Sequence, residues 1–211
     1  MSLQNRVNPY GEIIASSSRG TWMGNRGVLS KNKKIVKPYK LLNWITCVLE
    51  YRGIRRPVMT DGRYTELFFL DEATSFSAGH RPCAECRRAD YTRFKQLWLE
   101  ANEKYYELPN RNMKTIDAIN HAERMDAEGN KKGYTDRLSH LPNGVFIQPE
   151  NDNDAFLHVN GKLLRWTEYG YDSVIKLPPE SRVNVLTPKS YVRTFAKGYM
   201  PHIHDSAKAF L

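Results

Sequence analysis

The segment GHRPCAECRR, residues 79–88, holds one histidine, two cysteines and three arginines in ten residues. Cys83 and Cys86 have the C-x-x-C spacing with which a tight turn brings two thiolates onto one zinc ion. Pro82 stiffens the chain before the turn, and the residues after it have a helical pattern. Because the positive end of a helix favours thiolates, this spacing indicates a metal-binding turn.

Structural zinc takes four ligands in a tetrahedron, so two further side chains are needed. Cys47 on a predicted strand and His80 just before the turn supply them, with His121 and His140 as alternatives for the fourth position. The expected ligand set is Cys47, His80, Cys83 and Cys86. Four protein ligands leave no open position for water, so we expect a structural zinc ion that contributes roughly 10 kcal/mol to folding.

Two other interpretations of the thiols stay open. A redox dithiol needs an exposed cysteine of low pKa at a helix N-terminus, and the position of Cys83 meets that requirement. A thioredoxin-like fold, however, places its C-x-x-C after a strand, whereas a predicted helix precedes the motif here. The third interpretation is that the cysteines are simply small buried apolar groups.

The stretch FFLDEATSFSAGHRPCAECRR, residues 68–88, resembles the second half of the zinc module of Ada-type DNA-repair methyltransferases. The likeness rests on A-G-x-R-P-C-x-x-C between a short helix and a longer one, and it implies that Cys83 and Cys86 are zinc ligands. The Ada-type module carries two more cysteines just upstream, where this chain has MTDGRYTELFFL, so no alkyl transfer is predicted. The whole chain also resembles an uncharacterised bacterial protein family.

The basic residues are concentrated at the start of the chain. Residues 1–60 hold eleven lysines and arginines and two acids, a net charge of +9, whereas residues 61–211 balance 21 against 21. Such a segment predicts an anionic partner, and we expect nucleic acid, with a role in repair or processing. The predicted nucleic-acid-binding residues are Arg19, Arg26, Arg55, Arg56, Arg81, Arg87 and Arg88.

The alternative function is a small hydrolase or nuclease with the zinc site as its scaffold. His121 and Glu123 are the candidate acid–base residues, on a predicted helix that also carries Asp117 and Arg124. The plain interpretation of this segment is a solvated helix face on which Asp117 pairs with His121. Whether the chain is an enzyme stays open, because no established catalytic motif occurs in it.

The predicted elements that position these residues give an α+β fold of short strands and hairpins with three to four helices. Asp61-Gly62 and Asn160-Gly161 are hairpin turn signals. Residues 1–40 are predicted to form an irregular basic arm, and residues 41–211 a single α+β domain with a zinc-knuckle region at 41–106 and a β-rich half at 141–211.

Composition excludes several classes of protein. No apolar run approaches the roughly 18 residues that a membrane span needs, and the N-terminus lacks the apolar core of a secretory signal. Three cysteines are too few, and odd in number, for a disulfide scaffold. We therefore expect a cytoplasmic protein with no membrane partner.

Overall fold

The computed structural model describes residues 2–53 and 57–211, and among these it has four α-helices and fourteen short strands. The helices are α1 Glu72–Ser77, α2 Arg88–Asn102, α3 Met113–Arg124 and α4 Lys189–Ala196. The strands are β1 Gln4–Val7, β2 Ile13–Ala15, β3 Trp22–Asn25, β4 Ser30–Lys31, β5 Lys34–Ile35, β6 Ile45–Cys47, β7 Leu67–Phe69, β8 Arg81–Pro82, β9 Tyr134–Arg137, β10 Val145–Pro149, β11 Phe156–Val159, β12 Lys162–Thr167, β13 Gly170–Ile175 and β14 Arg182–Val185. The predicted α+β class is confirmed.

The first six-stranded sheet has the order β2-β1-β7-β3-β6-β8, and the N-terminal residues supply half of it. The irregular arm predicted for residues 1–40 is therefore wrong. Strands β1 and β3 pair with β7, more than forty residues further along the chain, and bury side chains such as Val7 and Asn25. Strands this short show little periodicity, and their pairing partners are distant in sequence, so local patterns do not reveal them.

The second sheet has the order β13-β12-β11-β10-β14-β9 and is antiparallel throughout. The hairpin predicted at Asn160-Gly161 is confirmed, since Val159 pairs with Lys162 across that turn. The other predicted hairpin, at Asp61-Gly62, is wrong. Residues 57–66 form no strand, and the oxygen of the Thr65 side chain instead accepts hydrogen bonds from the amides of Leu29 and Ser30.

The main core lies between the second sheet and the helices. Phe76 of α1 packs against Phe94 of α2 and Tyr191 of α4, with ring centroids 5.6 and 5.3 Å apart. The helical pattern predicted after the C-x-x-C turn is confirmed by α2, whose Phe94 and Trp98 are buried in this core. Helix α1 is wholly buried, and Asp71 caps its N-terminus with a carboxylate that accepts hydrogen bonds from the Thr74 backbone and side chain. Along the chain, helix α1 follows β7 of the first sheet and leads through β8 into the C-x-x-C turn.

Candidate metal centre

Cys47 meets the two cysteines of the C-x-x-C motif, about forty residues further along the chain, at the edge of the first sheet. The sulfur atoms of Cys47, Cys83 and Cys86 all lie within 4.8 Å of one another and can hold a metal ion. Cys47 and Cys83 are buried, and Cys86 is half-buried. The structure therefore brings together three of the four expected ligands.

Parallel pairing of β6 with β8 explains how Cys47 comes to lie beside Cys83. Ile45 pairs with Arg81 and Thr46 with Pro82, so the next residue on each strand is a cysteine. The Cys83 amide continues this ladder with a 2.9 Å hydrogen bond to the carbonyl of Thr46. The chain then turns through residues 84–87 into α2, which places the second thiol of the motif beside the first.

The surroundings of the sulfurs favour a thiolate at Cys83. A hydrogen bond from the Cys47 thiol, together with the amides of Cys86 and Glu85, lowers the pKa of Cys83 to about 5 despite burial. The Glu85 amide lies 3.4 Å from the Cys83 sulfur. The pKa of Cys47 is raised, first because its thiol donates that hydrogen bond and then by burial, and burial also raises the pKa of Cys86. Because cysteines bind a metal as thiolates, a metal ion bound here would displace the protons that the clustered thiols share.

His80 does not join this cluster, and its assignment as the fourth ligand is wrong. Its Nε2 atom accepts a 3.2 Å hydrogen bond from Nε of Arg26, and its ring packs against Trp44 and Phe69 with centroids 5.2 and 4.7 Å away. Full burial, then the nearby charges of Arg26 and Arg124, hold the pKa of His80 well below its usual value. His80 directly precedes β8 and Cys83 directly follows it, so the alternation of side chains along extended backbone directs the two to opposite sides.

The alternative fourth ligands also lie apart from the sulfurs. His121 packs against Tyr39 and Trp44, and His140 pairs with Asp136 at 2.9 Å. Among residues 2–53 and 57–211, no histidine, aspartate or glutamate joins the three cysteines as a fourth clustered ligand.

Three of the arginines predicted to contact nucleic acid are buried instead. Arg81 makes a two-fold hydrogen-bonded pair with Asp117, at 2.9 and 2.8 Å, and Arg87 lies 2.5 Å from Glu72. Arg26 is 1% exposed. These assignments are wrong, because each guanidinium is occupied inside the protein by a partner that is far away in sequence.

The other predicted contacts divide into two groups. Arg19 and Arg88 are exposed, as a phosphate contact requires. Arg55 and Arg56 lie outside the described residues.

The candidate acid–base residues His121 and Glu123 have separate partners. Glu123 accepts hydrogen bonds from the Tyr106 hydroxyl and from the amide of Ser190 at the start of α4. Nδ1 of His121 lies 2.8 Å from Nη2 of Arg124. Since α3 directs the two side chains to different neighbours, they do not form an acid–base pair. The solvated helix face is also wrong in part, because Asp117 binds Arg81 and not His121.

His121 gives the protein an acid-sensitive contact. Burial, then the charge of Arg124, lowers its pKa from 6.5 to about 4, so the unfolded chain takes up the proton first as the pH falls. We expect the free energy of unfolding to decrease from about pH 6.5 toward about pH 4 through this residue. In His121→Asn that decrease should be smaller, although His80 would still contribute in the same direction. Urea unfolding at a series of pH values measures it, and an unchanged slope would contradict the assignment.

One buried and one half-buried cation were missed by sequence reasoning. Arg124 is 2% exposed, although its charge predicted a solvated helix face, and Lys131 is half-buried beside it. Both line one cavity together with Arg26. No local pattern marks them, because the cavity forms only where α1, α3 and the N-terminal strands meet.

Comparisons with known proteins do not add to this geometry. None of the helices in the described part of the chain is both long and apolar enough to cross a membrane. No protein-family model, curated protein or solved structure matches this chain.

Proposed function

We propose that this chain is a zinc protein whose metal is held by Cys47, Cys83 and Cys86. The observation that carries the proposal is the meeting of three sulfurs within 4.8 Å at the end of two parallel strands. In a tetrahedral zinc site with bonds of about 2.3 Å, sulfurs lie about 3.8 Å apart, which this cluster can match. Thiolate-rich ligation selects zinc over magnesium, calcium or manganese.

The zinc ion would stabilise the junction of β6, the C-x-x-C turn and α2. Without it, the buried Cys47 and Cys83 would have only the weak hydrogen bonds among the three thiols and, for Cys83, those from the amides of Glu85 and Cys86. The spacing shared with the second half of the Ada-type module supports the same role for Cys83 and Cys86. Three protein sulfurs leave one tetrahedral position for a further donor, such as water.

We further propose that the protein binds nucleic acid through a basic face, defined as Lys31, Lys33, Lys34, Lys37 and Lys40. All five side chains are exposed, and they lie on and beside the β4–β5 hairpin. Residues 26–49 contain no acid, and Asp61, whose carboxylate accepts a hydrogen bond from the Asn32 amide in the hairpin turn, offsets only part of the five positive charges. Contacts to the phosphate backbone give affinity without sequence choice, which suits lysines on a surface hairpin. Arg19 and Arg88 are additional exposed contacts, and the hydrolase alternative is not proposed because His121 and Glu123 are held apart.

Fluorescence anisotropy with labelled single-stranded and duplex oligonucleotides tests the basic face. We expect binding at about 50 mM salt that weakens steeply by about 200 mM. Lys31, Lys33 and Lys34 changed together to Gln should reduce the salt slope by about 2–3, because each phosphate contact contributes about 0.9. The matched control changes Lys104, Lys114 and Lys197 to Gln, which removes the same charge from other exposed positions. Equal binding by the two triple variants would contradict the proposed face.

A further inference from the structure

A cavity of about 620 Å³ lies where α1 ends, between the N-terminal strands and the residues that follow α3. Its wall includes the backbone around Gly11, the indole of Trp44 and the segment 129–131. Lys37 of the basic face also lines it. This volume is in the range of sites that take small organic ligands.

Besides the exposed Lys37, three less exposed cations line this cavity: Arg26, Arg124 and Lys131. The guanidinium carbons of Arg26 and Arg124 each lie 3.8 Å from the ring centroid of Trp44, so one indole contacts both cations. Burial, then the charges of the two arginines, lowers the pKa of Lys131 to about 7. The two guanidinium groups and, below about pH 7, the Lys131 ammonium repel one another unless an anion is present.

The partners of these cations are neutral. Arg124 donates to the carbonyls of Gly79 and Leu42, Arg26 to the carbonyl of Gly11, and Lys131 to the carbonyl of Ser77. No ion pair joins any of the three to a carboxylate in the described part of the chain.

One nitrogen atom of the cavity wall is also without a partner. Nε of Arg124 is buried and makes no hydrogen bond to a described residue. The cavity-lining acid, Glu12, accepts a hydrogen bond from Asn8 instead. Buried charges in proteins are nearly always paired, so this arrangement is incomplete as it stands.

We propose that this cavity binds an anion of the phosphate-monoester class. A doubly charged phosphate group offers several acceptor oxygens to guanidinium and ammonium donors, which is the partner that clustered arginines recognise best. The cavity is larger than a bare phosphate ion needs, and Ile13, Ile35 and Met125 give it an apolar wall. The organic part attached to the phosphate would pack there.

The proposal does not depend on nucleic-acid binding by the basic face. Its phosphate monoester can come from a free small molecule or from the 5′-phosphate end of a nucleic-acid strand. The lysines changed in the nucleic-acid test, at 31, 33 and 34, do not line the cavity. Failure of one proposal therefore leaves the other measurable.

Isothermal titration calorimetry with AMP, ribose 5-phosphate and adenosine tests the cavity. We expect both phosphate monoesters to bind and adenosine not to bind. Lys131→Gln should weaken AMP binding about tenfold or more, because a charge-assisted contact is lost. Lys132→Gln is the matched control, because Lys132 is the exposed neighbour of Lys131 and does not line the cavity. Its affinity for AMP should stay within about twofold of the wild-type value.

A second pair of variants keeps the test decisive if Lys131→Gln fails to fold. Lys37→Gln removes an exposed lysine that lines the cavity, whereas Lys40→Gln removes one that does not. Tighter binding of a 5′-phosphorylated hexanucleotide than of AMP, lost with a 5′-hydroxyl end, would support a strand end as the source. Binding of AMP alone would support a free small molecule. No binding of any phosphate monoester at millimolar concentration, or equal binding by both members of each variant pair, would overturn the proposal.

Discussion

Cys83→Ser is expected to lower the free energy of unfolding by about 4–6 kcal/mol and to abolish stoichiometric zinc binding. Cys83 lies at the centre of the site. It follows β8 and lies beside Cys47 at the end of β6, and the turn that leads to Cys86 starts from it. Zinc supplies about 10–16 kcal/mol to peptides that have no core of their own. The effect here should be smaller because the first sheet already holds two of the sulfurs together.

The measurement is thermal unfolding of the wild type and of Cys83→Ser, each with and without a chelator. Chelation should lower the Tm of the wild type by roughly 10–20 °C, given about 2–4 °C per kcal/mol for a chain of this size. All three cysteines of the chain belong to the cluster, so no cysteine elsewhere can be changed as a control. The control is therefore Cys83→Ser in the presence of the chelator. If variant and chelator act through the same ion, their effects should not add. A wild-type Tm that is unchanged by chelation would contradict the metal-stabilised junction.

Glu72→Gln is expected to lower the free energy of unfolding by about 3 kcal/mol, because the buried Arg87 then keeps only the half-exposed Asp90 as a counter-charge. The Glu72 carboxylate lies 2.5 Å from Arg87 and also accepts hydrogen bonds from the Tyr199 hydroxyl and the His202 amide, both at 2.9 Å. Arg87 packs its guanidinium 4.2 Å from the ring centroid of Trp22. One carboxylate thus joins α1, the start of α2 and the C-terminal segment.

Glu180→Gln is the matched control for this ion pair. Glu180 pairs with Arg137 at 3.0 Å, but both side chains are more than half exposed, so the change should cost at most about 1 kcal/mol. Urea unfolding compares the two variants. Nucleic-acid binding at a temperature where Glu72→Gln is folded should equal that of the wild type, since Arg87 is buried. Equal stability of the two variants, or loss of binding in Glu72→Gln alone, would contradict this account.

Local patterns in the sequence predicted the parts of the fold that are set by near neighbours. The helical pattern after the C-x-x-C turn predicted α2, and Asn160-Gly161 predicted the hairpin between β11 and β12. The C-x-x-C spacing likewise predicted that Cys83 and Cys86 lie together. Each of these signals spans few residues, so neither tertiary context nor a distant partner can easily change it.

Distant pairing decided the features that sequence patterns did not reveal. The strand pattern around Cys47 and its thiol predicted that it is a ligand. The prediction for His80 was wrong because no local pattern shows which side of the extended chain faces the thiols. The first sheet joins residues 4–7 to 67–69, a separation that local periodicity cannot detect. Arg81 resembled a surface contact because its partner, Asp117, is 36 residues away. The sequence therefore predicted the net charge of the chain but not which lysines and arginines are exposed.

Metal content and coordination test the central claim most directly. Elemental analysis of the purified protein, followed by zinc K-edge X-ray absorption, should find about one zinc ion per chain. The spectrum should show three sulfur neighbours at about 2.3 Å and one oxygen or nitrogen neighbour at about 2.0 Å. A chain without bound metal whose three thiols all react freely, or a zinc ion with fewer than three sulfur neighbours, would contradict the proposed centre.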